Sequence, residues 1–150
     1  MTTKYLSPDD HIARHIKPSL IMRDEELKAI GIFPQAFALR EDERDLSVNW
    51  LEFFSGSPFE QLKQIMEHTE LTMNARHGFG VLSVGSFIES CASQGSKVRI
   101  IHEPTAGNPA HSSVHQYPRD RNELMAILAN LASRRLTMVG DLRNIPSADK

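Results

Sequence analysis

Gly80-Val81-Leu82-Ser83-Val84-Gly85-Ser86-Phe87-Ile88 and Lys97-Val98-Arg99-Ile100-Ile101-His102 decide the fold. Both stretches are rich in β-branched and apolar residues, and Ser93-Gln94-Gly95-Ser96 between them has turn composition, so they are predicted to pair as a β-hairpin. On either side the pattern changes to that of a helix. Upstream, Ser57-Pro58-Phe59-Glu60 offers a capping serine, a proline suited to the first turn and a glutamate placed to close a capping box. Leu62, Ile65, Met66 and Met73 follow at helical spacing, which predicts an amphipathic helix from 58 to about 75. Downstream, Asp120 and Glu123 precede Leu124, Ile127, Leu128 and Leu131, with Arg134 and Arg135 at the far end, which predicts a helix over 120–134.

Further strands are predicted at Leu136-Thr137-Met138-Val139-Gly140 and from Ser112 to Tyr117. A second hairpin is expected from Ala36-Phe37-Ala38-Leu39-Arg40 and Leu46-Ser47-Val48-Asn49-Trp50-Leu51, with Glu41-Asp42-Glu43-Arg44-Asp45 as a solvated turn. Strands mixed with two separated helices, without regular βαβ alternation, favour an α+β fold: a small mixed or antiparallel sheet with two main amphipathic helices. The 150 residues are long enough to bury a core without disulfides or a structural metal and are expected to form a single domain over 1–150, with 144–150 as a frayed tail.

Charge narrows the function classes. With 17 Lys+Arg against 19 Asp+Glu the formal charge is −2, which argues against a protein that grips duplex nucleic acid through a basic face. One cysteine, Cys91, permits no internal disulfide and fits a reducing compartment. Residues 1–10 lack the apolar core of a signal peptide, and no window approaches the roughly 20 apolar residues of a membrane span. A cytoplasmic location is expected. Cys91 reads as a small buried hydrophobe, and Met22, Met66, Met73, Met125 and Met138 as packing residues.

The chemistry-bearing feature is histidine. Two pairs share one spacing, His11 with His15 and His111 with His115. Four residues apart places both imidazoles on one side of a helix, and the even interval also places them on one face of a strand. Ser7-Pro8-Asp9-Asp10 can open a helix through His15, and Asp10 to Ile16 can equally be read as an alternating strand. His11 and His15 with a carboxylate such as Asp9, Asp10 or Glu103 would be a plausible ligand set for Zn²⁺ or non-haem iron. Neither pair carries the glutamate that follows the first histidine of the metalloprotease motif. Solvated or core-edge histidines bonded to backbone are the commoner alternative.

His111 and His115, with His102, are the candidates for general acid and base catalysis at a phosphodiester or acyl centre, because imidazole titrates near neutrality. The loop Glu103-Pro104-Thr105-Ala106-Gly107-Asn108-Pro109-Ala110 is a surface connection that flanking strands can hold, and Ser112 and Ser113 add hydroxyls beside it. Ser47 and Asn49 share one strand face and, with Ser113, are candidate ligand contacts. Trp50 and the phenylalanines near it are expected in the core. Gly78-Phe79-Gly80 lacks the third glycine and the strand-then-helix order of a phosphate loop, while Arg76 and His77 read as cations at a helix C-terminus.

No complete catalytic constellation is visible. The leading expectation is therefore an accessory or protein-interaction domain that binds a protein partner or a second copy of itself. The alternative is a histidine-dependent hydrolase or phosphoesterase, metal-assisted by Zn or Fe. A weaker alternative is a small-ligand or nucleotide sensor using the Ser47/Asn49 face.

Overall fold

The computed structural model describes residues 3–69 and 73–143. Its strands, in chain order, are β1 (His11–Ile16), β2 (Ile21–Arg23), β3 (Ala29–Ile32), β4 (Leu46–Trp50), β5 (Gly78–Ser83), β6 (Arg99–His102), β7 (His111–His115) and β8 (Leu136–Met138). The helices are α1 (Pro58–Glu67), α2 (Val84–Ser93), α3 (Asn122–Ser133) and α4 (Val139–Arg143). Six strands form one sheet in the order β6-β7-β4-β1-β5-β8, antiparallel at every pairing, and β2 with β3 forms a small second sheet. This is an α+β fold. No helix among the described residues is long and apolar enough to cross a membrane.

Alternation along β1 separates two apolar clusters. Ile12 and Ile16 join Leu46, Val48, Leu82, Ile100 and Val114 beneath α2 and α3, which contribute Val84, Phe87, Leu124 and Leu128. Ala13, with Phe79 and Val81, faces the other way, against Leu62 and Ile65 of α1 and Val139 and Leu142 of α4. Close approach of α3 depends on Gly80: a Cβ there would lie 2.8 Å from Ile32 Cδ1 and 3.0 Å from Ala132 Cβ. Cys91 is buried in the larger cluster, where desolvation pushes its thiol up to about 12, so it packs as a hydrophobe.

The expected hairpin of 80–88 with 97–102 does not form. After Ser83 the chain turns into α2, because Ser83 accepts from the Ser86 amide while the Val84 and Gly85 amides donate to the carbonyls of Asp10 and Pro8. Val84, Phe87 and Cys91 then fall on one buried helical stripe. The hairpin that β6 forms is with β7, closed by 103–110, and β5 pairs with β1 and β8 instead.

The helix starts and stops have local causes. At α1 both halves of the predicted capping box are present, Glu60 N to Ser57 Oγ and Ser57 N to Glu60 Oε1. The helix ends at Glu67 rather than near 75, with His68 as its C-cap, whose amide and imidazole both donate to Gln64 O; 70–72 lie outside the described residues. Asp120 does not cap α3. It has φ 57°, outside the extended region that a capping residue adopts, and Arg121 precedes the first turn without a side-chain cap. The predicted last strand stops at Met138, where α4 begins. The expected frayed tail, 144–150, also lies outside the described residues.

The second expected hairpin is replaced by a buried ion pair. β1 and β4 pair only through Ile12 with Trp50 and Ala13 with Asn49. Beyond that point side chains take over the ladder: Arg14 Nη1 donates to Ser47 O at 2.8 Å, and Ser47 N donates to the Glu43 carboxylate at 3.2 Å. Arg14 also donates to Ala36 O and Ala38 O and pairs with Glu43 at 3.4 Å, while Tyr117 Oη donates to Phe37 O. With three successive carbonyls already bonded, residues 36–38 have no ladder to offer β4, and Pro34–Phe37 forms a 3₁₀ turn. Glu43, expected in water, is buried at its side chain against Arg14. Burial opposes its charge, but Arg14 and the amides of Arg40 and Ser47 outweigh this and hold the carboxyl below its ordinary value. Arg14→Met leaves Glu43 buried and unpaired, and urea denaturation is expected to show a loss of about 3–5 kcal/mol, part of which returns in Arg14→Met/Glu43→Leu.

Candidate functional site

Strand register decides which of the chemistry-bearing side chains share a surface. Ser47 pairs with Ser113 and Asn49 with His111, so Ser47, Asn49, His111, Ser113 and His115 all project from the sheet face opposite the larger apolar cluster. The ligand candidates and two of the three catalytic candidates are thus brought to one face. Asn108, in the loop between β6 and β7, folds over it and donates to Asn49 Oδ1 at 2.7 Å.

His102 does not join them. It pairs with Ser112 and so points to the other face, with its ring edge-on to Trp50 at 5.1 Å and Nε2 donating to Pro109 O at 2.8 Å. Ser112 is fully buried and donates to Ala110 O, which removes it from any substrate.

At the far end of β7, His115 lies between two carboxylates. Its Nε2 is 2.9 Å from Glu103 Oε1, and its Nδ1 is 3.7 Å from Asp45 Oδ2. Asp45 precedes β4 and lies beside the end of β7, whereas Glu103, directly after β6, is level with His111 and its side chain reaches along the sheet face to His115. One imidazole nitrogen and one oxygen from each carboxylate lie within 4.8 Å of one another. Glu103 also holds the second histidine of the pair, because His111 Nδ1 donates to Glu103 O at 2.8 Å. Desolvation opposes ionisation of Glu103, but hydrogen bonds from His115 and Ser113 and the nearby imidazoles prevail and keep its carboxyl below its ordinary value. An imidazole with two carboxylates is a donor set for Zn²⁺, Mn²⁺ or Fe²⁺, and three protein ligands leave coordination positions open.

His11 and His15 share a face of β1 as the even spacing requires, yet they do not meet. A strand rises about 3.3 Å per residue, which sets residues four apart about 13 Å from each other. Each imidazole has a separate partner. His11 Nδ1 is 2.7 Å from Glu52 Oε2, whose other oxygen accepts from the His11 amide. His15 Nε2 is 2.7 Å from His77 Nδ1, with the rings stacked at 5.0 Å. Asp10, another suggested ligand, instead accepts from the Ser7 amide. His77 was expected at a helix C-terminus; the helix ends well before it, and His77 sits just ahead of β5, which pairs with β1 and delivers it to His15.

Asp45 is the site residue that sequence reasoning misses. Asp45 reads as one of five charges in a turn, and its nearness to His115 depends on β4 lying beside β7. No family model, curated protein or solved structure matches the chain.

Desolvation, then the charges of His77, Arg40, Arg14 and Lys17, lower His15 from 6.5 to about 4. The folded protein therefore keeps this ring neutral where the unfolded chain protonates it. The stability this confers is complete above pH 6.5 and drains away as pH falls toward about 4. Urea titrations from pH 7.5 to 4.5 are expected to show a smaller loss for His15→Phe than for the parent; equal losses would remove His15 from the acid response.

Proposed function

We propose that the protein binds a divalent transition-metal ion, Zn²⁺ by donor preference, through Asp45, Glu103 and His115, and uses it in hydrolysis of a small ester or phosphoester. The convergence of one imidazole and two carboxylates carried on or beside three adjacent strands supports this reading. An ion held by three protein ligands retains room for water and lowers its pKa toward neutrality. Ser47, Asn49, Ser113 and His111 lie on the same face, where their hydroxyls, amide and imidazole would contact the substrate. Tag-free protein is expected to take up one equivalent of Zn²⁺ by calorimetry, with at least tenfold weaker binding in Glu103→Gln and in His115→Ala. Unchanged uptake in both would overturn the site. Metal-dependent turnover of p-nitrophenyl acetate or phosphate, lost in Glu103→Gln, tests the reaction.

A second reading, the interaction domain, is supported by Leu27, Ile30 and Phe33, which are 69%, 59% and 40% exposed within and beside the β2–β3 hairpin. Large apolar side chains exposed along one short segment favour association, here with a second copy of this chain. Light scattering is expected to report a dimer that Leu27→Ser/Ile30→Ser converts to monomer; a parent that is monomeric at high concentration refutes it.

A further inference from the structure

On the edge of the sheet away from Asp45, β8 is too short for its neighbour. It pairs with Gly78, Phe79 and Gly80, so Val81–Ser83 of β5 run on past it. Two adjoining recesses occupy the space. The larger, about 440 Å³, is lined by Pro58, Phe59, Leu62, Val81, Leu136 and Thr137, with Arg135 at its border. The smaller, about 210 Å³, shares Val81 and Arg135 and adds Leu82, Ser83, Ser86, Leu131 and Arg134. The larger volume lies within the range of small-molecule sites, about 300–1,000 Å³.

The two compartments meet at Val81 and Arg135. One is an apolar trough whose rim carries Phe59, 51% exposed on the first turn of α1. The other holds two adjacent, exposed arginines whose guanidinium groups have no ion-pair or hydrogen-bond partner among the described residues. An apolar trough ending in unpaired cations is complementary to an amphiphilic anion.

We propose that this groove binds a single-chain fatty carboxylate, with its headgroup on Arg135 and Arg134 and its hydrocarbon chain along Phe59, Leu62 and Val81. The planar guanidinium fork matches a carboxylate. The amides at the start of α2, which an oxyanion would collect, are already spent on Asp10 O, Pro8 O and Ser83 Oγ. This site is separate from Asp45, Glu103 and His115 and stands whether or not a metal binds there.

The test is calorimetry on the intact chain with octanoate, decanoate and dodecanoate, and with decanol as the uncharged control. Affinity is expected to rise about fourfold per added methylene, the transfer free energy of one CH₂ from water, for as long as the chain remains inside the trough. Decanol is expected to bind at least tenfold more weakly than decanoate. Arg135→Gln should erase that difference, whereas Phe59→Ser should weaken acid and alcohol alike. Both side chains are on the surface, and circular dichroism checks that each variant folds. Equal affinity for decanol and decanoate, no dependence on chain length, or parent-like binding by both variants would each overturn the assignment.

Discussion

The Arg14–Glu43 pair is the constraint on which the arrangement depends. An arginine in the middle of a central strand, pointing into an apolar layer, is tolerated only if every donor finds an acceptor and its charge finds a counter-charge. Here the acceptors are backbone carbonyls of the chain from 36 to 47, so satisfying one side chain also fixes the path of that segment. The same pair ends the β1–β4 ladder and supplies the hydrogen bonds that the ladder would have made. Asp45 lies two residues past Glu43, and its position beside His115 follows from where this network sets the start of β4.

Much of the architecture is legible in the sequence where local chemistry is decisive. Ser57 and Glu60 mark the start of α1 without tertiary help, and the apolar stripe of Leu124 and Leu128 marks α3. Gly80 to Ile88 misleads because the same run of apolar residues fits either period, and the choice is made by the carbonyls of Pro8 and Asp10, far away in the chain. Ala36 to Arg40 misleads for a related reason: its carbonyls are claimed by Arg14 and Tyr117, side chains whose destinations no local pattern reveals.

The candidate site shows the same division. Even spacing places His111 and His115 on one strand face, and the register of β4 with β7, which no spacing reveals, adds Ser47 and Asn49 beside them. It says nothing of distance. A helix brings residues four apart together, whereas a strand carries them apart, so the two histidine pairs behave as four single histidines with different neighbours. His11 meets a glutamate, His15 another imidazole, His111 a carbonyl, and His115 two carboxylates. Of these four, His115 alone has two carboxylates beside it.

The place of β1 in the sheet bears on how the chain is made. It lies between β4 and β5, yet it leaves the ribosome before either, so Ile12 and Ile16 must wait for Trp50 and then Leu82 to be synthesised before they are covered on both sides. Pairing at such separations is slow, and an unpaired central strand is adhesive in the interval. Arg14, placed between those two isoleucines, puts a charge into the exposed stretch throughout that wait. The residue that completes the finished core thus also interrupts the apolar run that the strand exposes before its partners are made.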